Sequence, residues 1–211
     1  MVESATGTRV RVGSRPRAAP RAITPLRPLA TCRLVLRPAV PGDEPALAAV
    51  FASNPGFLRS SWPVTGPFDA AEASRYLAAE AGRQNGVCLS IVERTSRQVV
   101  GTAALLVPNP ADGVPWIGLL ILRADRQGLG LGTEAAAAME RWLARAGRPA
   151  VRLAVARGEI RARRFWERLG FRELAGAPRP YDGRERTTVV LAKRLGGSVT
   201  GRPGPVRCRR P

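Results

Sequence analysis

The spacing of apolar residues changes period several times along the chain, and each change marks an element. Leu34 and Leu36, set between Arg33 and Arg37, alternate over a short strand that ends at Pro38. Leu47, Val50 and Phe51 then share one helical face behind Asp43, which is placed to cap it, and Asn54-Pro55-Gly56 reads as its stop. The stretch 54–68 is irregular. Asp69, with Glu72 three residues on, opens a second helix that carries Ala73, Tyr76, Leu77 and Glu80 on one side. Val87 to Glu93 and Gln98 to Val107 read as an antiparallel pair joined at Arg94-Thr95-Ser96-Arg97.

A loop over 107–114 leads to an apolar strand at 115–123. Beyond Gln127 comes a helix over about 133–146, with Ala135, Ala138, Met139, Trp142, Leu143 and Ala146 on one face and Gly147 as its stop. Val151, Leu153 and Val155 alternate as a strand. Ala162, Phe165, Trp166 and Leu169 line one side of a short helix over 160–169, and Gly170 ends it. Two more strands begin at Phe171 and Thr187, separated by a turn-rich loop containing Tyr181 and Asp182. The order β-α-α-β-β-β-α-β-α-β-β predicts a mixed α/β (α+β) domain, with helices on the faces of a mostly antiparallel sheet. Its span is 33–195. Residues 1–32 and 196–211 lack periodicity and are rich in Arg and Pro, so both are expected to be disordered.

Composition narrows the function. The chain has 34 Lys+Arg against 16 Asp+Glu. Residues 1–33 hold seven Arg and one acid, and residues 193–211 hold six cations and no acid, so the two ends carry most of the excess. Lys193 is the only lysine, and the Arg bias comes with abundant Ala, Gly and Pro. That pattern speaks of coding bias more than of a nucleic-acid surface, and nucleic acid is not expected as the main ligand. With no histidine, His-based catalysis and His-ligated metal are excluded, and no metal is expected. Cys32, Cys88 and Cys208 are few, odd in number and without a C-x-x-C, which argues against a disulfide framework and predicts a reducing, cytoplasmic setting. No apolar run is long enough to span a membrane, so no membrane partner is expected.

Candidate chemistry concentrates at Gln127-Gly128-Leu129-Gly130-Leu131-Gly132-Thr133, between the strand at 115–123 and the following helix. Glycines permit left-handed backbone and close ligand approach, and the N–H groups of the helix start lie at the positive end of its dipole. The stretch is built to hold phosphate. It is not a dinucleotide fingerprint, because Thr133 occupies the position of the last glycine, and it lacks the lysine of a Walker loop.

Two segments together resemble the GNAT superfamily of acyl-CoA N-acyltransferases. One is the Gln/Arg-x-x-Gly-x-Gly/Ala signature, met by Gln127, Gly130 and Gly132. The other is the late helix ending Arg164-Phe165-Trp166-Glu167-Arg168-Leu169-Gly170-Phe171. The resemblance implies a GNAT-like sheet of six to seven strands flanked by about four helices, with a V-shaped opening between the central strands. It implies acetyl-CoA as cosubstrate and a primary amine, of a small molecule or of a protein or peptide, as acceptor. Leu120, Ile121 and Leu122 would pair with the pantetheine arm, and the amides of Gly128, Leu129, Gly130, Leu131, Gly132 and Thr133 would cradle the pyrophosphate. Glu159 and Trp166 would flank the cofactor, and a monomer or homodimer is anticipated.

The sequence departs from the family pattern at the catalytic positions. Trp166 stands where many relatives have a tyrosine acid, Glu159 where an asparagine is common, and Trp116 where an acid is common. Asp112, Glu93, Glu159 and Asp182 are the candidate bases, and Tyr181 is a candidate donor. These departures leave open a second reading, an acyl-CoA-binding regulatory module with impaired catalysis, and a third, a basic nucleic-acid-associated protein.

Overall fold

The computed structural model describes residues 27–61, 66–175 and 188–196. Both arms are almost entirely outside these residues, as is the loop that carries Tyr181 and Asp182. The strands are β1 (Leu29–Ala30), β2 (Leu34–Pro38), β3 (Gly86–Glu93), β4 (Val99–Leu106), β5 (Trp116–Leu122), β6 (Ala150–Ala156), β7 (Arg172–Glu173) and β8 (Thr188–Arg194). They form one sheet in the order β1-β2-β3-β4-β5-β6-β8-β7. All neighbours are antiparallel except β5 and β6. The helices are α1 (Glu44–Ala52), α2 (Pro55–Ser61), α3 (Ala70–Ala81), α4 (Leu131–Arg145) and α5 (Ile160–Arg168).

The fold class is the one the sequence predicts, with two additions. The first is β1, which falls inside the segment read as a disordered arm. Two residues are too few for a periodic signal, and the strand exists because Leu29 and Ala30 pair with Leu36 and Val35. The second is α2. Asn54-Pro55-Gly56 does end α1, but Pro55 is also the first residue of the next helix, where its missing N–H would have been unpaired anyway.

The two faces of the sheet carry separate cores. On one, α4 contributes Leu131, Ala135, Ala136, Ala138, Met139 and Leu143, and α5 contributes Trp166, against Leu89, Ala103, Ile117 and Leu153. On the other, α1 and α3 set Leu47, Val50, Phe51, Ala73 and Tyr76 over Ile121. The helix signals act as read in one case and differently in another. Asp69 caps α3 by accepting from the Glu72 N–H at 2.9 Å. Asp43 sits at the N-cap of α1 but makes no cap bond. Its carboxylate turns inward, accepting from Arg37 at 2.7 Å, from the Ser90 hydroxyl at 2.7 Å and from the Val40 N–H at 3.1 Å. Burial opposes its ionisation, but these donors outweigh that and hold it below the usual carboxylate range.

The two described cysteines differ in state. Cys88 is a free thiol, half-buried beside Tyr76 and Thr102, and burial pushes it up and keeps it protonated. Cys32 is disulfide-bonded, a pairing that spacing alone did not disclose. No helix among the described residues is long and apolar enough to cross a membrane.

Candidate active site

The parallel pair β5 and β6 is joined only at its start, where Trp116 lies beside Arg152 and Ile117 beside Leu153. Beyond that the strands part. β5 also carries a bulge at Gly118, since Ala104 pairs with Leu119 and the next residue, Leu105, with Ile117. A bulge bends its strand and sharpens the twist, which drives the far end of β5 away from β6. The result is a wedge-shaped opening between the two central strands.

The main-chain groups facing that opening follow from the register. The Arg123 N–H donates to Val100 O at 2.8 Å. Antiparallel pairs alternate between hydrogen-bonded and non-bonded, so Thr102/Ile121 is bonded, while Gly101/Leu122 and Ala103/Leu120 are not. Leu120 and Leu122 therefore turn their N–H and C=O groups toward the opening. The main chain of Ile121 is engaged with β4, and its side chain is buried under α1 and α3.

At its open end β5 runs through a 3₁₀ turn (Ala124–Arg126) into the glycine stretch. Gly128 and Gly130 have φ of 76° and 77°, the left-handed region that side chains resist. Helix α4 begins at Leu131. The first N–H returned to the helix is that of Glu134, to Gly130 O at 3.1 Å. The N–H groups of Leu131, Gly132 and Thr133 have no acceptor within the helix, and they sit at its positive end. Gly132 has a different reason to be glycine. A Cβ there would lie 3.4 Å from the Phe165 ring, so its absence lets α5 close on α4. Residues 127–130 are exposed and Leu131 is buried, so the loop opens to solvent from an anchored base.

Gln127 is engaged in structure. Its amide donates to Asn54 Oδ1 at 2.7 Å and to Leu122 O at 2.9 Å. Asn54 donates to Leu122 O at 3.0 Å and to Val50 O at 2.8 Å, and the Ser53 hydroxyl accepts from the Ala124 N–H at 3.0 Å. The junction of α1 and α2 thus clamps the exit of β5. Ser53 and Asn54 are missed by sequence reasoning, which took Asn54 only as a helix stop.

The acidic candidates do not converge. Asp112 accepts from the Trp116 indole N–H and from Arg152, both at 2.8 Å. It is neutralised at the closed end of the wedge. Glu93, at the end of β3, accepts from the Ser96 hydroxyl at 2.7 Å and lies 3.5 Å from Arg126. Glu159 holds the N-cap position of α5, half-buried and with no side-chain cap bond. Trp166 is buried, edge-on to Phe165 at 4.9 Å and to Phe171 at 5.1 Å between ring centroids. Tyr181 and Asp182 lie outside the described residues.

The architecture recurs in known proteins. The family model described as Acetyltransferase (GNAT) domain matches residues 33–172. A probable GNAT-family acetyltransferase from Chromobacterium violaceum superposes with a TM-score of 0.71 at 18% identity, covering 92% of this chain and 97% of that one. An acetyltransferase from Thermus thermophilus superposes with a TM-score of 0.61 at 24% identity, covering 78% and 98%. A ribosomal-protein-S5-alanine acetyltransferase from Vibrio fischeri gives a TM-score of 0.62 at 16% identity, covering 80% and 97%. At these identities the likeness shows the fold. No curated protein matches the chain.

Proposed function

The chain belongs to the GNAT acetyltransferase family, and from that premise we propose that it transfers an acetyl group from acetyl-CoA to a primary amine by direct attack in a ternary complex. The observation that carries this reading is the junction of the β5–β6 wedge with the glycine loop. Free N–H groups at the start of α4 meet a pyrophosphate, and the outward N–H and C=O of Leu120 with the N–H of Leu122, whose carbonyl is taken by Asn54 and Gln127, receive an extended amide-bearing arm as an added strand. Ile121 supports that edge from behind. Acetyl-CoA supplies the activated acetyl group.

The chain's own residues orient that group and stabilise developing charge. A main-chain N–H from β5 would stabilise the acetyl oxygen as it becomes negative. An alkylammonium acceptor has a reference pKa near 10.4 and must lose a proton before attack. Asp112 is a poor base because Arg152 and Trp116 already occupy its Oδ2. Glu159 is the described carboxylate closest in the chain to the open end of β6, and a water relay from it is the route we favour. Trp166 has no proton to transfer usefully, so the departing thiolate leaves without an acid from that position. The acceptor is a small-molecule amine or a protein or peptide amine. The Vibrio fischeri relative named above, an acetyltransferase of a ribosomal-protein alanine, makes the protein class worth including.

Titration calorimetry with acetyl-CoA tests the binding half, and absence of heat would refute it. Thiol release from acetyl-CoA over a panel of small amines and peptides tests the transfer half. Binding without turnover on any amine would turn the reading to the regulatory module, in keeping with a tryptophan at position 166.

A further inference from the structure

We propose that Thr31, Arg33 and Glu134 form a bracket that positions the glycine loop, making Arg33 a positioning residue for acetyl-CoA binding; the proposal rests on the acetyl-CoA reading above. Leu129 lies between two left-handed glycines, Gly128 and Gly130. Such a loop has little intrinsic reason to hold one peptide orientation. The Leu129 carbonyl is nevertheless fixed, accepting from Arg33 Nη1 at 2.9 Å. That carbonyl and the Gly130 N–H belong to one planar trans peptide and point in opposite directions. Holding the oxygen on Arg33 therefore fixes where the Gly130 N–H points, immediately before the free N–H groups of α4. The second Arg33 nitrogen, Nη2, lies 3.4 Å from where a Gly130 Cβ would be. The guanidinium thus lies along the loop's outer wall.

Arg33 is held in turn. Its Nε donates to Glu134 Oε2 at 2.8 Å, and its main-chain N–H to Glu134 Oε1 at 2.7 Å. The buried Thr31 hydroxyl donates to the same Oε1. Burial opposes ionisation of Glu134, but these three donors prevail and hold the carboxyl below its ordinary value. The backbone that carries them is pinned from behind: Arg94 Nη1 donates to Thr31 O at 2.9 Å, and the Arg94 N–H to Arg33 O at 2.8 Å. The turn between β1 and β2, about a hundred residues upstream in sequence, thus reaches the centre of the phosphate loop.

A bracket that merely staples the fold and one that sets the loop predict different outcomes. The variants are Arg33→Ala, Arg33→Lys and the gentler Glu134→Gln, in the full chain. The measurements are acetyl-CoA affinity, melting temperature, the split between KM and kcat, and amide hydrogen exchange over residues 128–133 without ligand. We expect Arg33→Ala to weaken acetyl-CoA binding about tenfold, the cost of one charge-assisted hydrogen bond. KM should rise while kcat stays within a few-fold, and exchange should accelerate at 128–133 before the rest of the chain. Lysine should not rescue, because an ammonium cannot serve the Leu129 carbonyl and the Glu134 carboxylate as a planar fork does. Glu134→Gln should show the same pattern more weakly. Unchanged affinity and exchange in a folded Arg33→Ala would overturn the proposal. So would a loss of affinity matched by a global fall in melting temperature and exchange raised evenly over the sheet. If the parent protein binds no acetyl-CoA while exchange still rises locally in the variants, the functional reading falls and the bracket stands.

Discussion

Replacing the three glycines one at a time separates three physical reasons for a glycine. Gly128→Ala puts a Cβ into open space but keeps φ at 76°, so its penalty is the left-handed backbone alone, about 1–2 kcal/mol. Gly130→Ala carries the same backbone penalty at φ 77° and adds a contact at 3.4 Å to Arg33 Nη2. Gly132→Ala has ordinary helical φ, and its only cost is the 3.4 Å approach to the Phe165 ring. A strain of about 1–2 kcal/mol appears as a loss in acetyl-CoA affinity of roughly 5–30-fold if the free loop relaxes and must be re-formed on binding. If the loop stays held, the same strain lowers the melting temperature by roughly 2–4 °C per kcal/mol for a domain of this size. Calorimetric titration and thermal unfolding together account for both routes. We expect the combined loss to run Gly130→Ala, then Gly128→Ala, with Gly132→Ala affecting melting more than binding. Gly130→Asp should abolish binding outright, because a carboxylate would face the pyrophosphate at the helix start. Undiminished affinity and melting in Gly130→Ala, or a larger binding loss in Gly132→Ala, would refute this account of the loop.

Asn54→Ala removes donors to Leu122 O and Val50 O and the acceptor of Gln127, so about 1–3 kcal/mol of stability and a raised acetyl-CoA KM are expected; a neutral effect on both would show that the exit of β5 needs no clamp. Trp166→Phe should keep kcat within a few-fold while Trp166→Ala costs about 3–5 kcal/mol, since the ring is core between Phe165 and Phe171; a collapse of kcat in a well-folded Trp166→Phe would assign the indole a chemical role. Burial raises the Glu80 carboxyl, against the opposing pull of Arg83. A raised folded-state value means that Glu80's contribution to stability is full below its unfolded pKa and lost as pH rises through the folded one. The melting temperature of Glu80→Gln relative to the parent should therefore improve as pH is raised from about 4 to about 8, and a trend in the other direction would reverse the sign.

What the sequence disclosed was whatever is written in local spacing. The 3.6-residue face of α4, the alternation of Val151, Leu153 and Val155, and the Asp69–Glu72 cap each depend on residues a turn or two apart, and each forms where the pattern places it. Two elements escaped because their cause is not local. β1 exists through pairing with β2, and the helical start at Pro55 was masked by the same residue's use as a helix breaker. The boundary drawn at residue 33 therefore cut through a hydrogen-bonded unit, since Thr31 sits on one side of it and its Leu34 and Glu134 partners on the other.

The same distinction explains why the cofactor side of the site was easier to see than the catalytic side. Phosphate binding uses main-chain N–H groups, and main-chain geometry is announced by glycine spacing within seven consecutive residues. Proton transfer uses single side chains whose meaning depends on partners elsewhere in the chain. Asp112 reads as a free carboxylate until Trp116 and Arg152 are brought onto it. Glu134 reads as an ordinary first-turn acid until the β1–β2 turn delivers Thr31 and Arg33 to it. Both carboxylates stand close to the wedge or the loop, and in both the partner arginine commits the charge to architecture. A carboxylate in this fold is therefore a credible base only where no arginine has been supplied to it. Among the described candidates Glu159 meets that condition, because Asp112 and Glu93 do not. Its role would show as a large fall in kcat for Glu159→Gln in a protein that still folds and still binds acetyl-CoA, and an unchanged kcat would remove it from the chemistry.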